Sequence, residues 1–392
     1  MKRILGIVAC LALLASAGAP AAPSAVEALQ GNPLVAPVDP EIPVALLVDL
    51  SSGQTLFARE AERRFVPASV TKVMTVYTAF NLVDRGELSL DRVVEIDREV
   101  AEEWGGEGST LFLEEGDRLT VGQLLLGVTT VSANDGAVAL GKAAAGSLDN
   151  WLALMNEDAV KLGMRDSYFG SPNGYPDEGR TYTSARDLVR LAEAMTTRFP
   201  ELYKRYFGHR GLTYNGIAQD NHDPITGVVE GADGMKTGYT RQAGYTFLGS
   251  AERDGRRLAV VIAGAPTVAI RNRASRQLLE WGFDNFASRR LLPAGIEVGE
   301  AMVQDGSQIS VPLRTESEVF ANLPRGRDDG ADLSVLYRGP IEAPIKAGDR
   351  VATLRVAIAG QEPHDVPLLA GEDVAKANAW QRLRNGIAGL FR

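Results

Sequence analysis

Apolar and polar residues are patterned from about residue 44 onward in a way that predicts a mixed α/β body. Residues 44–49, a turn at Ser51-Ser52-Gly53 and residues 55–58 are typical of a β-hairpin. After Pro67-Ala68, apolar residues recur at helical spacing across residues 73–83. The folded part of the chain is therefore expected to begin with two strands and a helix.

Helical patterns dominate from about residue 120 to residue 195, and strand patterns then return. Thr120 with Gln123 has the form of a capping box, and Ser184 resembles a second helix start. Two apolar runs flank Arg253-Asp254-Gly255-Arg256, where Asp-Gly readily supplies the positive φ of a tight hairpin turn. Another helix is predicted over residues 273–283. This order predicts an α/β (α+β) domain with a helical insert.

The pattern of apolar and polar residues changes at about residue 289 and again at about residue 371. Short β-type runs across residues 289–370, broken by Asp305-Gly306 and Gly348-Asp349, predict a smaller all-β domain. Residues 371–392 place apolar side chains near one face of a helix with a basic rim, which is typical of an interfacial membrane helix. A helix packed against its own domain is the alternative. The residues involved are Trp380, Leu383, Ile387, Leu390 and Phe391 with Lys376, Arg382, Arg384 and Arg392.

The first residues indicate export. Lys2 and Arg3 precede an apolar run over residues 4–14 and then Ala15-Ser16-Ala17, the pattern of a secretory signal peptide, with a retained membrane anchor as the alternative. Cys10, the only cysteine, would leave with this peptide, so no disulfide, zinc-thiolate site or cysteine nucleophile is expected in the mature protein. The predicted division is a signal peptide at 1–22, a linker at 23–43, a catalytic domain at 44–288, a β-rich domain at 289–370 and an anchor helix at 371–392.

Composition excludes several classes of protein. Hydrophobic residues make up 45% and charged residues 23%, which fits a soluble globular body rather than a disordered chain or a multi-span membrane protein. The formal net charge of −9 argues against nucleic acid as a partner, since a duplex-binding surface needs a basic excess. The sequence gives no sign of a metal or an organic cofactor.

The candidate nucleophile is Ser69, in Ser69-Val70-Thr71-Lys72. A spacing of three at the start of a helix puts Lys72 on the same face, within reach of the serine hydroxyl. A serine hydroxyl needs a neighbouring base, and none of the three histidines stands in a recognisable triad. Lys72 must then be uncharged to act. Burial, the positive end of the helix and a second cation at Lys236 would all lower its pKa.

Two further motifs follow in order. Ser132-Ala133-Asn134 lies between two predicted helices, so Ser132 could relay a proton and the Asn134 amide could hold the substrate backbone; a helix break capped by Asn134 is the alternative. Lys236-Thr237-Gly238 is predicted on an edge strand, where an extended peptide could add as another strand. Lys236 and Thr237 would bind its carboxylate, and Gly238 would permit close approach. The amides of Ser69 and Tyr239 are candidates for an oxyanion hole.

Together the three motifs resemble those of the low-molecular-mass penicillin-binding proteins, the serine D-Ala-D-Ala carboxypeptidases. The resemblance extends over nearly the whole mature chain. It is carried by Pro67-Ala68-Ser69-Val70-Thr71-Lys72, Ser132-Ala133-Asn134-Asp135, Phe169-Gly170-Ser171-Pro172-Asn173-Gly174, Thr183-Ser184-Ala185-Arg186-Asp187, Asp233-Gly234-Met235-Lys236-Thr237-Gly238-Tyr239-Thr240 and Leu278-Leu279-Glu280-Trp281-Gly282-Phe283.

The resemblance implies a penicillin-recognising fold and acylation of Ser69 by the penultimate D-alanine of a peptidoglycan pentapeptide. It also implies that β-lactams acylate the same serine and that the protein rests on the periplasmic face of the bacterial cytoplasmic membrane. Arg271 corresponds to a family arginine near the carboxylate pocket. One departure is Asn221-His222-Asp223-Pro224, where relatives often have Asn-x-Asn.

Three other functions compete with this interpretation. A class A-type β-lactamase shares the motifs but needs an added glutamate, and Glu157 falls in a predicted amphipathic helix. A DD-endopeptidase on the same fold is a variant that the motifs do not separate. A catalytically silent wall-binding protein would require a distorted cleft.

Overall fold

The computed structural model describes residues 34–326 and 330–381. The chain forms two compact units. The first consists of Ala36–Ser51 and Thr55–Asp284, and the second contains Ser52–Gln54 and the described residues from Asn285 onward. The proposed signal peptide lies outside the described residues.

The first part of the chain alternates between strands and helices. Its strands are β1 Val44–Asp49, β2 Gln54–Arg59, β3 Val93–Glu95, β4 Arg118–Thr120, β5 Gly211–Tyr214, β6 Ile217–Asp220, β7 Ala232–Thr240, β8 Gly244–Arg253 and β9 Arg256–Ala265. A 3₁₀ turn at Ala68–Thr71 leads into the first helix. The helices are α1 Lys72–Asp84, α2 Arg98–Trp104, α3 Val121–Thr130, α4 Asn134–Ala145, α5 Leu148–Lys161, α6 Ala185–Arg198, α7 Pro200–Tyr206 and α8 Val268–Asn285.

A five-stranded sheet in the order β2-β1-β9-β8-β7 organises the first unit. Successive residues of β1 join two different apolar clusters, as the twofold side-chain period of a strand requires. Leu46 packs in a large cluster with residues of α1, α3 and α4, whereas Leu47 packs with Leu278 and Leu279 of α8. The sheet is thus buried between the helical insert on one face and α8 on the other, which confirms the predicted α/β layering.

Local sequence signals fix several of these elements as predicted. Thr120 and Gln123 form a complete capping box at the start of α3, and the Ser184 hydroxyl accepts from the Asp187 amide at the start of α6. Asp254 and Gly255, with φ of 51° and 76°, form the two-residue turn between β8 and β9. The turn pairs β8 with β9, and β7, which pairs with the other side of β8, lies at the edge of the sheet.

The second unit is built from β-strands. They are β10 Phe286–Leu292, β11 Glu297–Gln304, β12 Ser310–Thr315, β13 Val319–Pro324, β14 Ala331–Leu336, β15 Ile341–Glu342, β16 Arg350–Ile358 and β17 His364–Ala370. Six of them form a sheet in the order β14-β16-β17-β12-β11-β15, and β10 pairs with β13. A separate apolar cluster that includes Val311, Leu313 and Val356 forms the core.

The segment after β17 differs from the predicted helix. Residues 371–378 are not helical; Val374 pairs with Ile345 and is fully buried, and Lys376 pairs with Gly306. Burial of the Val374 side chain in the β-rich core stabilises this extended segment. Helical structure begins only at Ala379, and residues 382–392, which carry most of the proposed anchor, lie outside the described residues. Across residues 34–326 and 330–381, no helix has both the length and the apolar character needed to cross a membrane.

Candidate active site

The three sequence motifs meet at one cavity of about 750 Å³ in the first unit. Seven of the nine candidate residues line it: Ser69, Ser132, Asn134, Thr237, Gly238, Tyr239 and Arg271. The other two, Lys72 and Lys236, are buried, with exposures of 1% and 4%. Both lysines act on the cavity through hydrogen bonds and charge rather than by forming its surface.

Ser69 lies in the 3₁₀ turn and Lys72 is the first residue of α1, so the two are joined by a tighter turn than the predicted helical one. The Lys72 amine lies 3.0 Å from Ser69 Oγ, 2.7 Å from Asn134 Oδ1 and 2.7 Å from the Asn173 carbonyl oxygen. The amide oxygen and the carbonyl oxygen can only accept hydrogen bonds. They therefore take two N–H groups of the amine and leave its remaining position directed at the serine hydroxyl.

Two causes lower the pKa of Lys72 well below its ordinary value. Burial is the larger cause, and the positive charge of Lys236 adds to it, while Asp135 acts in the opposite direction. Burial and then the charge of Arg271 lower the pKa of Lys236 itself to about 7. An uncharged Lys72 amine would lie within hydrogen-bonding range of the Ser69 hydroxyl, which is the geometry that a general base requires.

The second motif forms the break between α3 and α4. Ser132 is buried and adopts a left-handed φ of 65°, and Ala133 rather than Asn134 is the N-cap of α4. The Asn134 side chain instead accepts from Lys72 and donates to the Glu107 carbonyl at 2.8 Å. The capping alternative for Asn134 is therefore not what the structure shows.

The third motif lies on β7 beside the 3₁₀ turn. Lys236 Nζ donates to the Thr237 carbonyl at 2.9 Å. A Cβ added to Gly238 would lie 2.6 Å from the Pro67 carbonyl oxygen and 3.1 Å from the Ser69 amide nitrogen. Only glycine allows this approach, because both contacting atoms belong to the backbone.

Basic groups gather where β7 and α8 face the cavity. The Arg271 guanidinium donates to Asn272 Oδ1 at 2.9 Å and 2.7 Å and to the His222 carbonyl at 3.4 Å. Burial, then Lys236 and Arg271, lower the pKa of His222. Asp223 lines the same wall, and its carboxylate caps the following turn by accepting from the Ile225 amide at 2.8 Å. The unusual Asn-His-Asp-Pro segment thus lies at the cationic side of the cavity.

Two features around Lys72 were not predicted from the sequence, an acceptor for its amine and a buried carboxylate at the start of α4. Asn173 acts through its main-chain oxygen, which carries no residue-type signal, although the Pro-Asn-Gly turn around it could have marked a tight turn at this place. Asp135 is fully buried and accepts from the Leu111 amide at 3.0 Å and the Leu113 amide at 3.1 Å. It thereby holds the loop between α2 and β4 against the start of α4.

The two-part architecture is the penicillin-binding protein fold, and known proteins share it along most of the chain. The chain belongs to the D-alanyl-D-alanine carboxypeptidase family of serine peptidases, whose family model matches residues 35–267. A second model, described as the C-terminal domain of penicillin-binding protein 5, matches residues 286–376. The resemblance inferred from the three motifs is confirmed.

Individual relatives agree with this assignment. The chain is 33% identical over 346 residues to D-alanyl-D-alanine carboxypeptidase DacD of Salmonella typhimurium, covering 86% of this chain and 87% of that protein. The crystal structure of penicillin-binding protein 5 from Haemophilus influenzae matches with a TM-score of 0.74 at 31% identity, covering 87% of this chain and all of that one. Penicillin-binding protein D2 of Listeria monocytogenes in its ampicillin-bound form matches with a TM-score of 0.56 at 29% identity, covering 62% of this chain and 98% of that one.

The close approach of Gly238 to the 3₁₀ turn predicts the effect of Gly238→Ala. The added methyl group would press on two backbone atoms that cannot rotate away, so β7 must shift from the turn. We expect the free energy of unfolding to fall by about 1–3 kcal/mol, measured by urea denaturation. Gly106→Ala is the matched control, since a Cβ there meets nothing within 4 Å. Equal stability of the two variants would contradict the crowding described at Gly238.

Proposed function

We propose that this protein is a serine-type D-Ala-D-Ala carboxypeptidase that removes the terminal D-alanine from peptidoglycan stem peptides through an acyl-enzyme on Ser69. The observation that carries the proposal is the buried Lys72 amine at 3.0 Å from Ser69 Oγ. The names of the family and of its relatives support the same activity.

In the acylation step, uncharged Lys72 takes the proton of Ser69 Oγ while the oxygen attacks the carbonyl carbon of the penultimate D-alanine. The C–N bond to the last residue then breaks, and the leaving amine receives a proton from Lys72 through Ser132. In the second step water attacks the ester and gives a proton to Lys72; the ester C–O bond then breaks, Lys72 returns the proton to Ser69 Oγ, and the shortened peptide leaves with a free carboxylate.

The proposed substrate position follows from the edge strand. A peptide that adds to β7 would bring its scissile carbonyl oxygen towards the Ser69 and Tyr239 amides, which would stabilise the oxyanion. Its terminal carboxylate would meet Thr237 and Arg271, and the buried Lys236 would add positive charge next to them. The low pKa of Lys72 and the cationic wall therefore serve different steps, proton transfer and carboxylate recognition.

β-Lactams are proposed to acylate the same serine, since they present a strained amide and a carboxylate in a similar arrangement. The ampicillin-bound relative supports this. The β-lactamase alternative is less well supported: the cavity lining, taken over residues 34–326 and 330–381, contains no glutamate, and Glu157 is exposed and paired with Lys161 at 2.8 Å. Action on cross-linked peptides is a variant of the same chemistry.

The proposal for Ser69 predicts a sharp difference between two serine variants. Ser69→Ala should release D-alanine from a diacetyl-Lys-D-Ala-D-Ala peptide at least about 1,000-fold more slowly than the unchanged enzyme, because no acyl-enzyme can form. Ser288→Ala, at an exposed position on β10, should match the unchanged enzyme. Intact mass measurement after penicillin treatment should show one adduct, mapped to the peptide containing Ser69. Release that persists in Ser69→Ala, or an adduct on another residue, would remove Ser69 from the mechanism.

We also propose export through residues 1–22 and attachment of the mature enzyme to the periplasmic face of the cytoplasmic membrane through its last residues. The basic and apolar residues of that segment support attachment. Because Val374 is buried in the β-rich core, the anchor can begin only after that residue.

The anchor proposal predicts that deleting residues 382–392 releases the enzyme from membranes and leaves its activity intact. Deletion from residue 372 should instead destabilise the second unit, because it removes the buried Val374 side chain. Membrane pelleting and thermal denaturation separate the two effects. A protein lacking residues 382–392 that still pellets with membranes would contradict the anchor assignment.

A further inference from the structure

Two loops of the cavity wall are joined by a side-chain contact. Tyr175 Oη donates to Glu107 Oε1 at 2.6 Å. Trp104 packs edge to face on the Tyr175 ring, with centroids 5.3 Å apart and planes at 88°. Tyr175 and Gly108 both line the cavity with Ser69. The contact therefore joins the segment after α2 to the segment after Asn173 at the cavity wall.

The first of these segments orients Asn134. The Glu107 carbonyl accepts from the side-chain nitrogen Asn134 Nδ2 at 2.8 Å, and the Ser109 carbonyl accepts from the main-chain N–H of Asn134 at 2.7 Å. A Cβ on Gly108, whose φ is +68°, would lie 2.8 Å from Asn134 Nδ2. Because the Glu107 carbonyl fixes the side-chain nitrogen of Asn134, the side-chain oxygen Oδ1 is the atom that faces Lys72. The position of residues 107–109 thus sets the position of one acceptor of the lysine.

The second segment places the other acceptor. The Tyr175 amide donates to Asn173 Oδ1 at 3.0 Å, while the Asn173 carbonyl accepts from Lys72. Between them, Gly174 has a φ of +73°, and a Cβ there would lie 1.9 Å from the Ala68 carbonyl oxygen. Residues 173–175 are therefore pressed against the 3₁₀ turn that carries Ser69.

We propose that Tyr175 and Glu107 are a positioning pair: their contact holds Asn134 and Asn173 in place around the Lys72 amine and so keeps it directed at Ser69. The proposal rests on the proposed function, because it assigns the pair a part in activating Ser69. Neither side chain touches the reacting atoms; both act through the backbone groups that hold the two asparagines.

The pair has a defined effect on proton transfer. Without it residues 107–109 lose a side-chain tie to residues 173–175, the two acceptors are held less firmly relative to each other, and water gains access to a lysine whose pKa is lowered mainly by burial. The pKa of Lys72 should then rise towards its ordinary value. The charges that act on Lys72 from β7 and α4, Lys236 and Asp135, remain unchanged. Only the uncharged amine accepts a proton, so acylation becomes faster as the pH rises through the pKa of Lys72. A higher pKa therefore moves this rising limb of the rate-against-pH curve to higher pH.

The test is the rate of acylation by a fluorescent penicillin, measured against pH for a set of matched variants. Tyr175→Phe keeps the ring on Trp104 and removes the hydroxyl. Glu107→Ala removes the acceptor, whereas Glu107→Gln keeps an oxygen that accepts from Tyr175. Tyr214→Phe is the control, since Tyr214 Oη makes a similar contact with Asp117 at 3.4 Å and does not line the cavity.

Tyr175→Phe and Glu107→Ala should each lower the acylation rate about tenfold and shift the rising limb to higher pH. The double variant should be no slower than either single variant, because both remove the same contact. Glu107→Gln should recover most of the rate, and Tyr214→Phe should match the unchanged enzyme. Thermal denaturation of each variant separates this effect from loss of the folded state.

The proposal is overturned by any of three results. The acylation rate of Tyr175→Phe could rise at the same pH as that of the unchanged enzyme, or the two single losses of rate could add in the double variant. Glu107→Gln could also be acylated as slowly as Glu107→Ala. These outcomes differ from failure of the proposed function. If the unchanged enzyme forms no adduct at Ser69, the mechanism itself is wrong; if it forms the adduct and Tyr175→Phe forms it at the same rate and pH, only the positioning pair is wrong.

Discussion

Lys72 is the constraint on which the site depends. A lysine can serve as a base for a serine hydroxyl only while its amine is uncharged, and burial to 1% exposure with Lys236 nearby favours that state. The same burial requires that its N–H groups have partners, because an unsatisfied polar group is costly inside a protein. Asn134 and Asn173 supply those partners as neutral oxygens, which satisfy the amine without adding a full negative charge beside it.

The rest of the first unit keeps this arrangement in place. The 3₁₀ turn and the start of α1 position Ser69 and Lys72 next to each other, and the start of α4 positions Asn134. The edge strand β7 approaches the turn closely only because residue 238 is glycine. A sheet buried on both faces gives β7 a rigid base, which leaves its open edge for an extended peptide. In the proposed mechanism, proton transfer and substrate alignment therefore depend on the same few backbone contacts.

Much of this could be predicted from the sequence, for identifiable reasons. Signals carried by side chains in short segments were sufficient for the capping box at Thr120, the Asp254-Gly255 hairpin and the three motifs. What escaped prediction depends on contacts between distant segments. The Asn173 carbonyl has no side-chain signature, and the Tyr175 and Glu107 contact spans 68 positions. The extended segment at Val374 is stabilised by a core that periodicity does not reveal.

The most direct test of the account is a titration of Lys72 itself. In protein labelled with ¹³C at the lysine ε carbons, the resonance lost in Lys72→Arg identifies the residue, and its chemical shift against pH gives its pKa. We expect a pKa well below the ordinary 10.5 in the unchanged protein, and a higher one in Lys236→Gln, where the neighbouring positive charge is gone. A Lys72 that titrates at its ordinary value in the folded enzyme would contradict the central claim, because the amine would then be charged at neutral pH.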